Sequence, residues 1–177
     1  MLKDFKPTLI ILIRFIFIYL FLLGIYQSYL NYFTSTGLDP YSRWVASQSA
    51  KIQDFFSYTT TLVDYPQHET VCFNIRNQCI SRMVEGCNSI SVMILFISFV
   101  SAFYKGFKTI IFILIGIVFL HIMNVLRIVG LNIILVDYKS FSKICHDYFF
   151  PAVIYGSVVL LWLIWIKFFA LKKDNKE

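Results

Sequence analysis

Apolar positions in this chain come in long blocks. From Leu9 to Ile25 the only charged side chain is Arg14. A bilayer span requires about 20 largely apolar residues in succession. Segments of that kind predict spans at about 7-29, 88-104, 109-127 and 149-171, within a single membrane domain covering 1-177. Pro7 suits a first helical turn, where its missing N–H costs nothing. Arg14, about two turns in, can run its stem along apolar surface to the nearer interface. The first block is long for the apolar core of a signal peptide. No small-x-small cleavage site follows it, since Tyr26, Gln27, Ser28 and Tyr29 come next. A retained first span is therefore expected.

Between the first two blocks the segment 31-86 is polar. Asp39-Pro40 reads as a helix cap followed by a first-turn proline. After it, Tyr41, Trp44, Val45, Gln48, Ile52, Phe55, Phe56 and Thr59 recur at three- and four-residue steps. That spacing predicts an amphipathic helix lying on the bilayer surface or on the other helices. Val71, Phe73 and Ile75 alternate with polar residues and predict a short strand or hairpin. Lys105, Gly106 and Lys108 predict a tight turn between the second and third spans. Twenty residues from Thr109 rise about 30 Å, which brings Arg127 to the far side of the membrane. The apolar run continues past Arg127 to Val136, interrupted by Gly130 and Asn132, and a bend or short interfacial piece is expected there. The fold class this pattern gives is an all-α integral membrane protein. It has about four transmembrane helices, an extracytoplasmic amphipathic helix and a possible short hairpin.

Composition narrows the picture. Of the 177 residues, 58% are hydrophobic and 15% charged, against about half and about a quarter in soluble domains. A large soluble core does not fit beside the spans. The net charge of +6 is uneven, with Lys3, Lys6, Lys105, Lys108, Lys172, Lys173 and Lys176 flanking the spans on one side. By the positive-inside rule both termini are expected in the cytoplasm of a bacterial-type cytoplasmic (inner) membrane, with 31-86 outside. No basic patch with interleaved aromatics lies outside these flanks, so the lipid bilayer is the expected partner and nucleic acid is not.

The same topology places Cys87, Arg127 and His146 at the outer ends of the second, third and fourth spans, where they must be neighbours. A cysteine nucleophile acts as the thiolate, which a helix N-terminus or a nearby cation favours. Cys87 sits where the second span begins. His146 can serve as general base and then acid. Arg127 can stabilise an oxyanion or hold a carbonyl or carboxylate, with Asn124 as a second donor and Asp147 as a group that orients His146. Ionisable groups at membrane depth suggest function by default. The bland readings are that Arg127 is an interfacial anchor and Cys87 a buried free thiol. His121 is a rival base, because His121, Asn124 and Arg127 follow at three-residue steps and read as one polar stripe. It lies about 9 Å deeper than Arg127, so His146 is favoured. His68 reads as a solvated loop residue. Of the four cysteines, Cys72 and Cys79 can pair in an oxidising compartment. Zinc is not expected, since no C-x-x-C or H-x-x-x-H spacing occurs, and no cofactor is expected.

Glu85-Gly86-Cys87-Asn88-Ser89-Ile90, then Asn124-Val125-Leu126-Arg127-Ile128, then Cys145-His146-Asp147 occur in that order at the ends of successive helices. This resembles the exosortase/archaeosortase family, most closely its short F-type exosortase subfamily. The resemblance covers Glu85 to the fourth span, roughly half the chain. It implies a multi-pass membrane cysteine peptidase or transpeptidase. Such an enzyme cleaves a C-terminal sorting signal of secreted proteins, made of a short motif, a transmembrane helix and a basic tail, and passes the new carboxyl end to an acceptor. It places the family cysteine on Cys87, the arginine on Arg127 within Asn-x-x-Arg, and the histidine on His146. Asn88-Ser89 stands where many members have Ser-Gly, and about four spans stand where larger members have around eight. A membrane partner subunit is a candidate to supply the missing surface. Two other classes remain open. One is a non-catalytic membrane assembly or partner-binding subunit. The other is a membrane thiol oxidoreductase using Cys72, Cys79 or Cys145 with a quinone, against which the lack of C-x-x-C argues.

Overall fold

A computed structural model describes residues 2–34, 37–65 and 68–170. The first helix, α1 (Leu2–Phe33), is unbroken. Leu9, Ile13, Phe17, Leu20 and Phe21 on it are all exposed. A soluble monomer rarely exposes a contiguous apolar face of this extent, whereas hydrocarbon chains cover it without cost. Among the described residues three helices are long and apolar enough to cross a membrane: Thr8–Phe33 within α1, Phe107–Asp137 and Ser142–Phe169. The described residues are thus mostly helical, with three candidate membrane spans and one small sheet. Lys172, Lys173 and Lys176, and the expected end of the last span at Leu171, lie outside the described residues.

The second expected span, 88-104, is a 13-residue helix, α3 (Ile90–Ala102). At ~1.5 Å per residue it rises about 20 Å, short of a ~30 Å hydrocarbon core. Ser89 (φ 62°) and Gly106 (φ 66°) lie in left-handed backbone just outside its two ends. The third expected span is longer than 109-127. Helix α4 (Phe107–Asp137) runs 31 residues with no break at Gly130 or Asn132, so no separate interfacial piece follows Arg127. Gly130 instead admits the Phe150 ring, which a Cβ would meet at 3.3 Å. The fourth span likewise starts before 149. The last helix is continuous over Ser142–Phe169, with π-helical turns at Cys145–Phe149 and Ile166–Ala170.

Helices α3, α4 and the last helix share one core, built on Phe96, Val100, Leu120, Val158 and Trp165. Gly116 makes that packing close, since a Cβ there would lie 2.2 Å from Phe96 Cζ. Helix α1 joins from outside through Tyr26, Leu30 and Ile94.

At one end of the bundle sits the amphipathic helix α2 (Pro40–Phe55), capped by Asp39, whose side chain accepts from the Ser42 N–H at 3.0 Å. Its inward face and its exposed aromatic positions are distinct. Ser42, Val45, Ala46, Ser49, Ala50 and Gln53 are buried, while Trp44, Phe55 and Phe56 are exposed. Val45, Ala46 and Ala50 on that face share a core with Val125, Ile128 and Val129 of α4. An antiparallel sheet, order β1-β2-β3, follows. It comprises β1 (Thr60–Tyr65), β2 (Thr70–Ile75) and β3 (Gln78–Met83), one strand more than a hairpin. Arg76 and Asn77 both have positive φ (54° and 61°), the geometry of a two-residue hairpin turn. The alternation of Val71, Phe73 and Ile75 does select the inner face, each being 1% exposed. Val71, Phe73 and Met83 pack with α2 and with Val125, Ile128 and Val129 of α4. Cys72 and Cys79 are disulfide-bonded across β2 and β3. Arg43 pairs with Asp64 at 2.6 Å and Arg76 with Asp137 at 3.3 Å, while the Tyr58 hydroxyl donates to Asp137. These contacts tie the sheet to α2 and to the end of α4.

Candidate active site

Cys87 lies in a 3₁₀ turn, Glu85–Cys87, just ahead of α3. The turn is held on several sides. The Cys87 N–H donates to the Val84 carbonyl at 2.9 Å. The Cys87 carbonyl accepts from Asn124 Nδ2 on α4 at 3.0 Å. Next in sequence, the 1%-exposed Asn88 works as a hub. Its Nδ2 donates to Tyr26 of α1 at 2.9 Å and to Ser42 of α2 at 2.8 Å, and its Oδ1 accepts from the Ile90 N–H at 2.9 Å. One amide thus ties α1 and α2 to the start of α3. The peptides flanking the thiol are fixed, while the thiol is free and half-buried. Asn124 therefore has a different place from that expected. Its amide is bound to the Cys87 peptide and does not line the cavity next to the thiol.

That cavity, about 280 Å³, lies between the sheet, α4 and the last helix. Cys87, Arg127 and His146 all line it, together with Ser81, Arg82 and Asn132. The ridge Arg127, Leu131, Leu135 forms its α4 wall, as a four-residue helical repeat dictates. Asn132 is fixed by Ser81, whose hydroxyl donates to its Oδ1. Comparison of the chain with protein-family models, with curated proteins and with solved structures finds no match. The chemistry of the site therefore rests on the residues themselves.

His146 sits inside the π-helical turn Cys145–Phe149, ahead of Pro151. Proline lacks the N–H for the regular helical bond and its ring clashes with the preceding turn, and widening to a π turn relieves both. Such bulges recur at functional sites. Nδ1 of His146 meets Oδ1 of Asp147 at 2.9 Å, which leaves Nε2 for other contacts. Arg127 is half-buried, and among the described residues no carboxylate pairs with it. Arg82 lies over the Tyr65 ring, 5.5 Å from its centroid, and brings a second guanidinium to the cavity. Burial pushes the Glu85 carboxyl above the usual carboxylate range, and the nearby charges of Glu69 and Asp39 add to the effect.

His121 belongs elsewhere. Its Nε2 meets Gln48 Oε1 at 2.7 Å and its Nδ1 meets the Tyr41 hydroxyl at 3.4 Å. The Trp44 ring stacks on it at 4.9 Å. His121 lines a separate cavity of about 370 Å³ between α2 and α4. The stripe with Arg127 does not exist, because six residues at about 100° each leave the two side chains about 120° apart around the helix. His68 is exposed, as expected of a loop residue. Among the described residues no His, Cys, Asp and Glu group could hold a metal ion. Ser81, Arg82 and Asn132 at the cavity were not foreseen from sequence. Only the four-residue step from Asn124 through Ile128 to Asn132, all buried on α4, hinted at the last of them.

Proposed function

We propose that this chain is a membrane-embedded cysteine peptidase or transpeptidase of exosortase type. It acts on secreted proteins that carry a C-terminal transmembrane sorting signal. The observation that carries this reading is the single cavity lined by Cys87, Arg127 and His146, residues drawn from three separate elements. The sheet end of the bundle is the extracytoplasmic end in this reading. The Cys72–Cys79 disulfide beside the cavity fits an oxidising compartment. Lys6 near the start of α1, Lys105 and Lys108 at the turn between α3 and α4, and Lys167 near the end of the last helix lie away from the sheet, as cytoplasmic flanks do. Both termini are then cytoplasmic, in a bacterial-type inner membrane, and the site faces outward.

In the reaction, His146 takes the thiol proton and the Cys87 thiolate attacks the scissile carbonyl carbon, forming the C–S bond. Arg127 stabilises the oxyanion. The C–N bond breaks as His146 returns the proton to the leaving amine, and the anchor departs. An acceptor amine, or water, then attacks the thioester. It gives a new amide or a free carboxylate, with its proton passing through His146 to regenerate the thiol. Asp147 holds the imidazole through Nδ1. A membrane partner subunit can extend the groove.

The test replaces Cys87 with Ala, with Cys145→Ala as control, and follows by mass the secreted proteins with a C-terminal anchor. Loss of processing in Cys87→Ala alone, at unchanged membrane accumulation, supports the peptidase. Normal processing without Cys87 sinks it and favours an assembly subunit.

A further inference from the structure

The cavity that holds His121, about 370 Å³, is a groove between α2 and α4 on a different side of α4 from Arg127. Apart from Gln48, Lys51 and His121 its walls are apolar, with Ile52 from α2 and Ile122 and Leu126 from α4 among them. Ile122 is 51% and Leu126 49% exposed, on a helix long and apolar enough to cross a membrane. The groove is therefore continuous with a lipid-facing surface. Its depth follows from the helix. Ile122 and Leu126 come 15 and 19 residues after Phe107, where α4 begins, or about 22 and 28 Å along the axis. A hydrocarbon core is about 30 Å thick, so the groove lies where acyl chains give way to headgroups, at the sheet end of the bundle.

Helix α2 fits that level. Trp44, Gln48, Lys51 and Phe55 follow at three- and four-residue steps and form one stripe on it. Trp44 and Phe55 are exposed, and tryptophan favours the membrane–water interface. The polar groups at the groove are unequally satisfied. His121 is taken up by Gln48, Tyr41 and the Trp44 ring. Lys51 is exposed, and among the described residues no carboxylate pairs with it. Asp54, one turn further along α2, accepts the Thr60 N–H at 2.7 Å, and no described carboxylate lines the groove. A free cation at the rim and hydrocarbon walls below it suit an occupant with an anion at one end and an alkyl chain at the other. A free phosphate would leave the walls without contacts, and an apolar helix would bring no charge to Lys51.

We propose that this groove binds one anionic phospholipid of the sheet-side leaflet, its phosphate on Lys51 and an acyl chain over Ile122 and Leu126. The inference needs the membrane placement of α4 and no step of the peptidase reaction, so it stands or falls apart from that reading. The lipid is a bound ligand on a face of α4 remote from the thiol, and it wedges α2 against the span that carries Arg127.

The test uses the full chain in mild detergent. Dioleoylphosphatidylglycerol or dioleoylphosphatidylcholine is added, and retained lipid is counted by native mass spectrometry. One phosphatidylglycerol per chain is expected, held about five- to tenfold more tightly than phosphatidylcholine, as one lysine near an anionic headgroup provides. Lys51→Glu should abolish that preference. Leu126→Trp keeps the cation but fills the groove, and should weaken retention of both lipids. Both side chains are exposed, so the variants should fold as the unsubstituted chain does. In a thermal scan phosphatidylglycerol should raise the melting temperature saturably, as a ligand of the folded state does, and should not do so in Lys51→Glu. Equal retention of the two lipids overturns the inference, and so does retention of phosphatidylglycerol unchanged in Lys51→Glu or in Leu126→Trp. Displacement of the lipid by inorganic phosphate would leave a simple anion site. Pairs of chains that Leu126→Trp separates would make the groove an interface between copies, and either result overturns the lipid assignment.

Discussion

Asn124 Nδ2 donates to the carbonyl oxygen of Cys87 at 3.0 Å, so the helix that carries Arg127 also holds the turn that carries the thiol. In the peptidase reading, two groups that act on one carbonyl are thereby fixed to each other and not merely to the same bundle. Asn124→Leu removes the donor and leaves the Cys87 carbonyl without it, at a cost of about 1–3 kcal/mol. The expected outcome is anchor cleavage at least tenfold slower, with the chain still accumulating in the membrane. Cleavage at the unsubstituted rate in a well-accumulating variant would show that the turn holds its place unaided.

The two histidines should separate cleanly. His146→Ala removes the proposed proton-transfer group and is expected to slow anchor cleavage by about 10²- to 10⁴-fold. His121→Ala strips Gln48, Tyr41 and Trp44 of their common partner and should lower the unfolding temperature instead, by the equivalent of about 1–3 kcal/mol. Its cleavage rate well below that temperature should be unaltered. A thermal scan and a cleavage assay on each variant check both, and the reverse pattern would make His121 the base.

Helical arithmetic also explains what the sequence did and did not disclose. Cys87, Arg127 and His146 were brought together by topology alone, because antiparallel helices return chain ends to the same level. Side-chain direction is a finer matter. Three-residue steps drift around a helix, which is why His121 and Arg127 read as one stripe and face different cavities. Gly130 reads as a hinge in isolation, yet it is the seat of Phe150. On α2 the aromatic spacing marks an amphipathic helix without saying which side packs on the protein; Ser42, Ala46, Ser49 and Ala50 are buried, and Trp44 and Phe55 are exposed. Arg82 carries no periodic signal, since its place at the cavity follows from a sheet register.

Glu85 gives the site a pH signature. Its folded carboxyl titrates above the usual range, chiefly because of burial. A raised acid binds its proton more tightly when folded, so this group favours the folded state at low pH, and the benefit is lost as pH rises through the folded pKa. Glu85→Gln should therefore raise thermal stability at about pH 7 and give no gain at about pH 4, where the carboxyl is already protonated. Melting of both chains in detergent at the two pH values measures it. A variant less stable at neutral pH would mean that the carboxylate makes favourable contacts outweighing its burial.

The Cys72–Cys79 bridge closes a short loop across β2 and β3. Replacing both cysteines with Ser should destabilise the sheet by about 2 kcal/mol. The expected readout is faster amide exchange in β2 and β3 with exchange in α3 unchanged. Uniform loss of protection through the bundle would show that the sheet and helices melt as one unit.

Gly116→Ala tests the helix contact beneath the site. The new methyl would lie 2.2 Å from Phe96 Cζ, and Phe96 is 0% exposed, so the ring has nowhere open to move. Overpacking of this kind costs about 1–3 kcal/mol. A lower melting temperature checks it, and an unchanged one would mean that α3 slides on α4.

Helix α4 runs unbroken from the turn at one end of the bundle to the foot of the sheet, 31 residues or about 46 Å. Its lower part is gripped by α3 and the last helix, and its upper part by α2 and the strands. No joint lies between them, so the height of the cavity above the opposite membrane face is fixed like a mark on a rod. A thicker bilayer then submerges the cavity and a thinner one lifts it clear, unless the whole molecule tilts. In the peptidase reading, lipid chain length then becomes a control on which stretch of a substrate polypeptide stands level with Cys87.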